Sequence, residues 1–135
     1  MKVTVCRKES FNAAHRIAHP EWSDEKNQKI FGACANKNYH GHNYTLSLKL
    51  SGQVDPETGY VYDMKKLGEL VKKYIIEPLD HKNLNLDVPA FKHRIPTTEH
   101  LAIYIYEQLR PHIESRYEIK LILEETDKNY VEYPA

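Results

Sequence analysis

The run from His40 to Ser51 constrains this chain more than any other stretch. His40, His42, Tyr44, Leu46, Leu48 and Leu50 fall on one parity, and Asn43, Thr45, Ser47, Lys49 and Ser51 on the other. Successive side chains of a strand point to opposite faces, so this period of two predicts a strand with one face in a core and the other polar. A sheet buried on both sides would be apolar on both parities; the alternation calls instead for an antiparallel sheet covered on one side only. Residues 2–15 repeat it, with Val3, Val5, Phe11 and Ala13 against Lys2, Thr4, Lys8, Ser10 and Asn12, and a bulge is expected near Arg7.

Two helices supply the cover. Asp63 is placed to cap a helix whose stripe is Leu67, Leu70, Val71, Tyr74 and Ile75, ended by Pro78. Thr97 or Thr98 caps a second, with Leu101, Ile105, Leu109 and Ile113 at helical spacing and Pro111 bending its last turn. Ile119, Leu121 and Leu123 then alternate with Glu118, Lys120 and Glu124, and Asp127-Lys128-Asn129 turns the chain into Val131 to Pro134. Arg16 to Asn38, with Pro20 and Gly32 and no stable period, reads as a long loop of the kind that carries function. The order ββααββ gives an α+β fold: a four-stranded antiparallel sheet with two helices on one face, a single domain over residues 1–135. Thr45, Ser47, Lys49 and Lys120 are left on an uncovered face, and the sheet edges are left open. Pairing those edges between subunits, so that several sheets close into a barrel, would remove the liability.

Composition narrows the functional classes. Nineteen Lys and Arg balance nineteen Asp and Glu, which removes the charge footprint of a general nucleic-acid or acidic-membrane binder; an anionic ligand must be met by a local cluster. Cys6 and Cys34 are too few for a disulfide framework, and no stretch has the apolar length of a signal peptide or a membrane span. A cytoplasmic setting with free thiols is the expectation, without nucleic-acid or membrane partners.

Eight histidines are the unusual part of the composition. In His40-Gly41-His42 both imidazoles project from one face of a strand, roughly 6–7 Å apart along the chain, and can converge on one ion. His15 closes the first strand, and antiparallel pairing can bring it beside them, giving three His ligands with one position open, a pattern that suits catalytic zinc. Three ordinary histidines at strand ends remain the alternative. Cys34, in the loop before the histidines, reads as a small loop hydrophobe, a fourth ligand that would make the zinc structural, or a thiolate base lowered in pKa by a nearby metal. The adjacent Asp80 and His81 could orient such a thiol, or form a surface pair. No Gly-x-Gly-x-x-Gly run signals a nicotinamide or flavin.

The run FGACANKNYHGHNY, with FNAAH before it, LDHKNLNLDVP after the first helix, PTTEH opening the second and EETDKN in the last hairpin, resembles the 6-pyruvoyl-tetrahydropterin synthase family. The resemblance covers nearly the whole chain. It implies the tunnelling fold, in which ββααββ subunits trimerise into a closed barrel and two trimers stack as a homohexamer. It implies a lyase of tetrahydrobiopterin biosynthesis that converts the small molecule 7,8-dihydroneopterin triphosphate into 6-pyruvoyl-tetrahydropterin and triphosphate. Carried over by motif, His15, His40 and His42 would hold one zinc per subunit and Cys34 would abstract protons. Asp80 and His81 would activate it, and Glu125 of EETD would complete the catalytic set by anchoring the pterin. Thr97 and Thr98 would touch the same ring. Mg2+ accompanying the triphosphate is left open.

The same substrate, metal triad, Asp-His pair and Glu serve 6-carboxy-tetrahydropterin synthases of deazapurine biosynthesis. The five residues Ala35 to Tyr39 between Cys34 and His40 match the pyruvoyl-forming spacing, where carboxy-forming enzymes typically have three. A zinc-stabilised binding domain with Cys34 as fourth ligand is the rival from another class; it would not need Asp80, His81 or Glu125. Arg16, Lys26, Lys29, Lys37 and Arg94 lie in loops that could border a triphosphate, without one being assigned. Cys6 reads as a bystander, and His19, His93, His100 and His112 have no motif behind them.

Overall fold

The two alternating runs pair with each other along their whole length. In the computed structural model, which describes residues 1–135, β1 (Lys2–His15) and β2 (His40–Gln53) are antiparallel from Lys2 opposite Gln53 to His15 opposite His40. The register has no break, so the bulge expected near Arg7 is absent. Arg7 and Glu9 fall on the inward parity but lie at the margin of the core and pair with each other at 2.7 Å, which removes any need to turn them out.

The connection after β1 is not a plain loop. Ser23 accepts from the backbone N–H of Lys26 and starts α1 (Asp24–Phe31), which Gly32 ends at a φ of 61°, followed by a 3-10 turn, Gly32–Ala35. After β2, Asp63 accepts from the N–H groups of Lys65 and Lys66 and opens α2 (Met64–Val71). The helix runs on through a π turn, Lys72–Ile76, into α3 (Glu77–Leu79), so Pro78 lies inside the last turn rather than after it. In a regular helix the ring of Pro78 would press on the carbonyl of Tyr74; widening the preceding turn relieves that contact, and Glu77 donates to the Lys72 carbonyl five residues back.

Beyond Asp80 a two-residue strand, β3 (Lys82–Asn83), runs parallel to β1 beside Ala13 and Ala14. Short helical turns, α4 (Leu84–Asp87) and Pro89–Phe91, lead to α5 (Thr98–Leu109). A 3-10 turn at Arg110–His112 carries Pro111 as expected. β4 (Glu118–Glu124) pairs with β2, and β5 (Tyr130–Tyr133) with β4. The sheet therefore has five strands in the order β3-β1-β2-β4-β5 and is mixed, not a four-stranded antiparallel one. Two residues are too few to carry a period, and β3 is held by its neighbours rather than by its own pattern.

One core of 24 residues lies between the sheet and the helices. Leu46, Leu48, Leu50, Leu121 and Leu123 face Leu67, Val71, Ile75, Leu101, Ile105 and Leu109, all at 0% exposure. Burying each such side chain contributes about 1.5–3 kcal/mol. The opposite face is polar, as read: Thr4 bonds Ser51 at 2.6 Å, and Lys49 and Lys120 both approach Glu132 at 3.8 Å. No helix of the chain is long and apolar enough to cross a membrane.

Candidate metal centre and its surroundings

The β1–β2 register builds the centre. His15 stands opposite His40, and His42 follows two residues along on the same face. The ring centroids lie 4.5 Å (His15–His40), 5.0 Å (His15–His42) and 5.0 Å (His40–His42) apart, and one ligand atom from each lies within 4.8 Å of the others. His15 is 1% exposed, and its Nδ1 sits 2.8 Å from the carbonyl oxygen of Pro96. A carbonyl only accepts, so Nδ1 carries the proton and the Nε2 lone pair faces the cluster. Nε2 of His15 and Nε2 of His42 are buried with no hydrogen-bond partner. Leaving two buried nitrogens unsatisfied is unfavourable, and a cation between them satisfies both. Three imidazoles with a position open fit a divalent transition metal.

The electrostatics favour the neutral form of His15 and His40. Burial pushes the His15 imidazole below its ordinary range, with His40 adding to the effect; His40 is lowered by burial and then by His42. Beneath them Tyr44 is fully buried, its hydroxyl 3.4 Å from His15 Nδ1, and burial pushes its phenol well above the usual value.

Glu125 joins the cluster from the end of β4. Its Oε1 lies 3.5 Å from His42 Nε2, too long for a hydrogen bond, while its Oε2 accepts from the Thr98 hydroxyl. Thr97, one residue earlier, accepts from the His100 N–H and is the cap of α5. The two threonines thus divide the work: Thr97 starts the helix and Thr98 aims the carboxylate. Both, with Ile17, Glu125, Asn129 and Tyr130, line a cavity of about 460 Å³.

The remaining sequence candidates stand apart from the cluster within one chain. Cys34 is exposed, in the 3-10 turn, and its carbonyl accepts from Ile17 N–H at 2.8 Å, two residues past His15. Asp80 and His81 are paired at 2.9 Å against Asn12: Asp80 Oδ1 accepts from the Asn12 N–H and the His81 N–H donates to the Asn12 carbonyl. The bond from Asn12, then that from His81, holds the Asp80 carboxyl below the usual range. His81 adopts a φ of 61° there and remains 83% exposed. No hydrogen bond or ion pair joins the Asp80–His81 pair to Cys34 within the chain. Cys6 is exposed on the polar face beside Lys49.

Sequence reasoning overlooked the carbonyl of Pro96 and the hydroxyl of Tyr44. Tyr44 shared the parity of His40 and His42 and could have been placed there; the Pro96 contact spans 81 residues and leaves no local trace.

Comparison with known proteins gives the context. The model of the family described as 6-pyruvoyl tetrahydropterin synthase matches residues 4–135. The 6-pyruvoyl tetrahydrobiopterin synthases of Homo sapiens and Pongo abelii are each 43% identical over 129 residues, 96% of this chain and 89% of their own length. The structure of Caenorhabditis elegans 6-pyruvoyl tetrahydropterin synthase superposes with a TM-score of 0.93 at 42% identity, covering 100% of this chain and 96% of that one.

Proposed function

This chain belongs to the 6-pyruvoyl tetrahydropterin synthase family, and from that premise we propose that it converts 7,8-dihydroneopterin triphosphate into 6-pyruvoyl-tetrahydropterin with elimination of triphosphate. The observation that carries the reading is the cluster of His15, His40 and His42, with two buried imidazole nitrogens lacking partners beside the carboxylate of Glu125. Zinc held by the three histidines would supply a Lewis acid that draws electron density from the substrate's side-chain hydroxyls and makes the neighbouring C–H bonds acidic. Glu125 accepts the adjacent N–H donors of the amino-pyrimidine edge, held at the right angle by the Thr98 hydroxyl. Cys34, as thiolate, removes the proton from carbon, and His81 takes and returns it, kept in place by Asp80. Reducing equivalents move from side chain to ring within one molecule, so the reaction balances without an external redox partner.

Within one chain the Asp80–His81 pair is bound to Asn12 and Cys34 to Ile17, so the thiol of one subunit is served by the pair of another. The edge of β1 from Lys2 to Phe11 has no strand beside it and can receive a neighbour, which supports a trimer closing its sheets into a barrel and a hexamer of two trimers. Free, exposed thiols fit a reducing, cytoplasmic setting.

Incubating the zinc-loaded protein with 7,8-dihydroneopterin triphosphate and identifying products by mass spectrometry tests the assignment. Triphosphate together with a pyruvoyl product is expected. A carboxy product would move the chain to the deazapurine branch, and no product would favour a zinc-stabilised binding domain.

A further inference from the structure

Four histidines of this chain have no motif, and three of them share one cavity. His19, His93 and His100 line one cavity of about 710 Å³, together with Lys92, Arg94 and Pro96. The volume is in the range of small-molecule sites. Their ligand atoms are not gathered as those of His15, His40 and His42 are, so the cavity is not a second metal centre. Its chemistry is that of hydrogen-bond donors and positive charge.

The donors are directed. His19 Nδ1 accepts from the Glu21 N–H at 3.2 Å, so in the neutral ring the proton sits on Nε2. Asn27, 3% exposed, holds the His19 backbone from both sides, and the indole of Trp22 stacks on the imidazole at 4.8 Å. His100 is fixed by the Ile95 carbonyl, 2.7 Å from its Nδ1. Lys92 forms no ion pair, and Arg94 meets Glu107 only at 3.6 Å. Of the other loop cations, Arg16 donates to the Ala35 carbonyl, Lys37 meets Asp24 at 3.1 Å and Lys26 lies over the Trp22 ring, while Lys29 does not line the cavity. Glu21 is the one carboxylate on the cavity wall.

The position is as informative as the lining. Pro96, in the wall, is the residue whose carbonyl fixes His15 at the metal centre. Consecutive residues divide the two cavities: Ile17 and Thr97 line the one that holds Glu125, and Ala18 and Pro96 line this one. We propose that this cavity is a polyphosphate site, which takes the triphosphate chain of the substrate with Lys92 and Arg94 as its charged contacts and the ring N–H groups of His19, His93 and His100 as further donors. The assignment rests on the function proposed above for its ligand, not for its chemistry. Polyphosphate could reach it as the tail of the substrate or as the free product, and both present the same oxygens.

Trp22 is the only tryptophan and stacks on a cavity residue, so its emission reports occupancy without reference to turnover. Inorganic triphosphate titrated into the metal-loaded protein should change that emission saturably, with inorganic phosphate far weaker. Lys92→Ala with Arg94→Ala should weaken triphosphate about tenfold or more, as removal of charge-assisted contacts does. The same variant should raise KM for dihydroneopterin triphosphate by a similar factor, while affinity for unphosphorylated neopterin stays as it was. Lys92→Ala alone, at an exposed position, should give part of the effect in a chain of undisturbed fold. Equal triphosphate affinity in variant and parent overturns the site. A weakened triphosphate affinity with unchanged KM overturns its use by the substrate. Saturable binding by a protein that does not turn the substrate over upholds the site and removes the proposed function instead.

Discussion

His15 illustrates how a single side chain can be committed to one role by its surroundings. Its Nδ1–H is taken by the Pro96 carbonyl, its ring is buried, and only Nε2 is left, aimed at two other imidazoles without a partner of its own. A metal is the group that resolves this arrangement, and its affinity rests on all three nitrogens. His42→Ala is therefore expected to lose the metal, checked by elemental analysis of purified protein; full occupancy in the variant would remove the assignment. Cys34 stands outside the cluster, exposed and bonded only through its backbone. Cys34→Ala, which removes the proposed base and no member of the histidine cluster, should keep the metal and the melting temperature and lose turnover by several orders of magnitude. Metal lost with the thiol would instead make Cys34 a fourth ligand.

Elements show why some of this was legible in sequence and some was not. β1, β2, α2 and α5 could be read because each buries one face over enough residues for a period to emerge, with Asp63 and Thr97 as caps at the expected places. α1 escaped because its buried residue is Asn27, so no apolar stripe marks it; Ser23 followed by Asp24 and Glu25, with Gly32 at the far end, was the signal available. β3 and the left-handed turn at His81 depend on Asn12, 69 residues earlier, and local pattern cannot carry that. The triad was legible because strand period and antiparallel pairing both act on it, whereas the anchoring of Asp80 and His81 on Asn12 and of Cys34 on Ile17 comes from contacts between distant parts of the sequence. At the start of α5 the two adjacent threonines can be told apart by experiment. Thr97→Ala removes the cap and should cost about 1 kcal/mol in denaturant unfolding. Thr98→Val keeps the cap and the shape but frees Glu125, and should weaken binding of a pterin analogue in calorimetry with little change in stability. Reversed outcomes would exchange the two roles.

For the molecule as a whole, stability should depend on pH in two separate windows. His15 and His40 have folded pKa values below the ordinary 6.5, so in metal-free protein the unfolded chain binds more protons beneath that value. Their contribution is complete above pH 6.5 and is lost as pH falls from there towards the lowered values. Asp80 is lowered from 3.8, so its contribution is present above that pH and is lost only below it, through the folded value. Thermal melts of chelator-treated protein should fall between pH 7.5 and about 5.5, before any carboxylate responds; a flat profile there would contradict the buried neutral imidazoles. The larger question is whether one chain suffices for catalysis. β1 offers an unpaired edge along Lys2 to Phe11, β5 closes the other side with only four residues, and the face carrying Lys49, Lys120 and Glu132 is mostly polar, with Ile122 among them. A monomer would keep two open edges and would hold Cys34 and His81 on different parts of the same strand's surroundings. Edge pairing between subunits closes the sheets and can bring one chain's thiol to another chain's Asp80–His81. Sedimentation equilibrium at micromolar protein should accordingly show a hexamer. Co-expression supplies the sharper test: Cys34→Ala chains and His81→Ala chains, each inactive alone, should recover up to about a quarter of parental activity when randomly co-assembled, because some seams then join an intact thiol to an intact pair. Inactivity of the mixed hexamers would place both groups in one chain's site and contradict the shared arrangement.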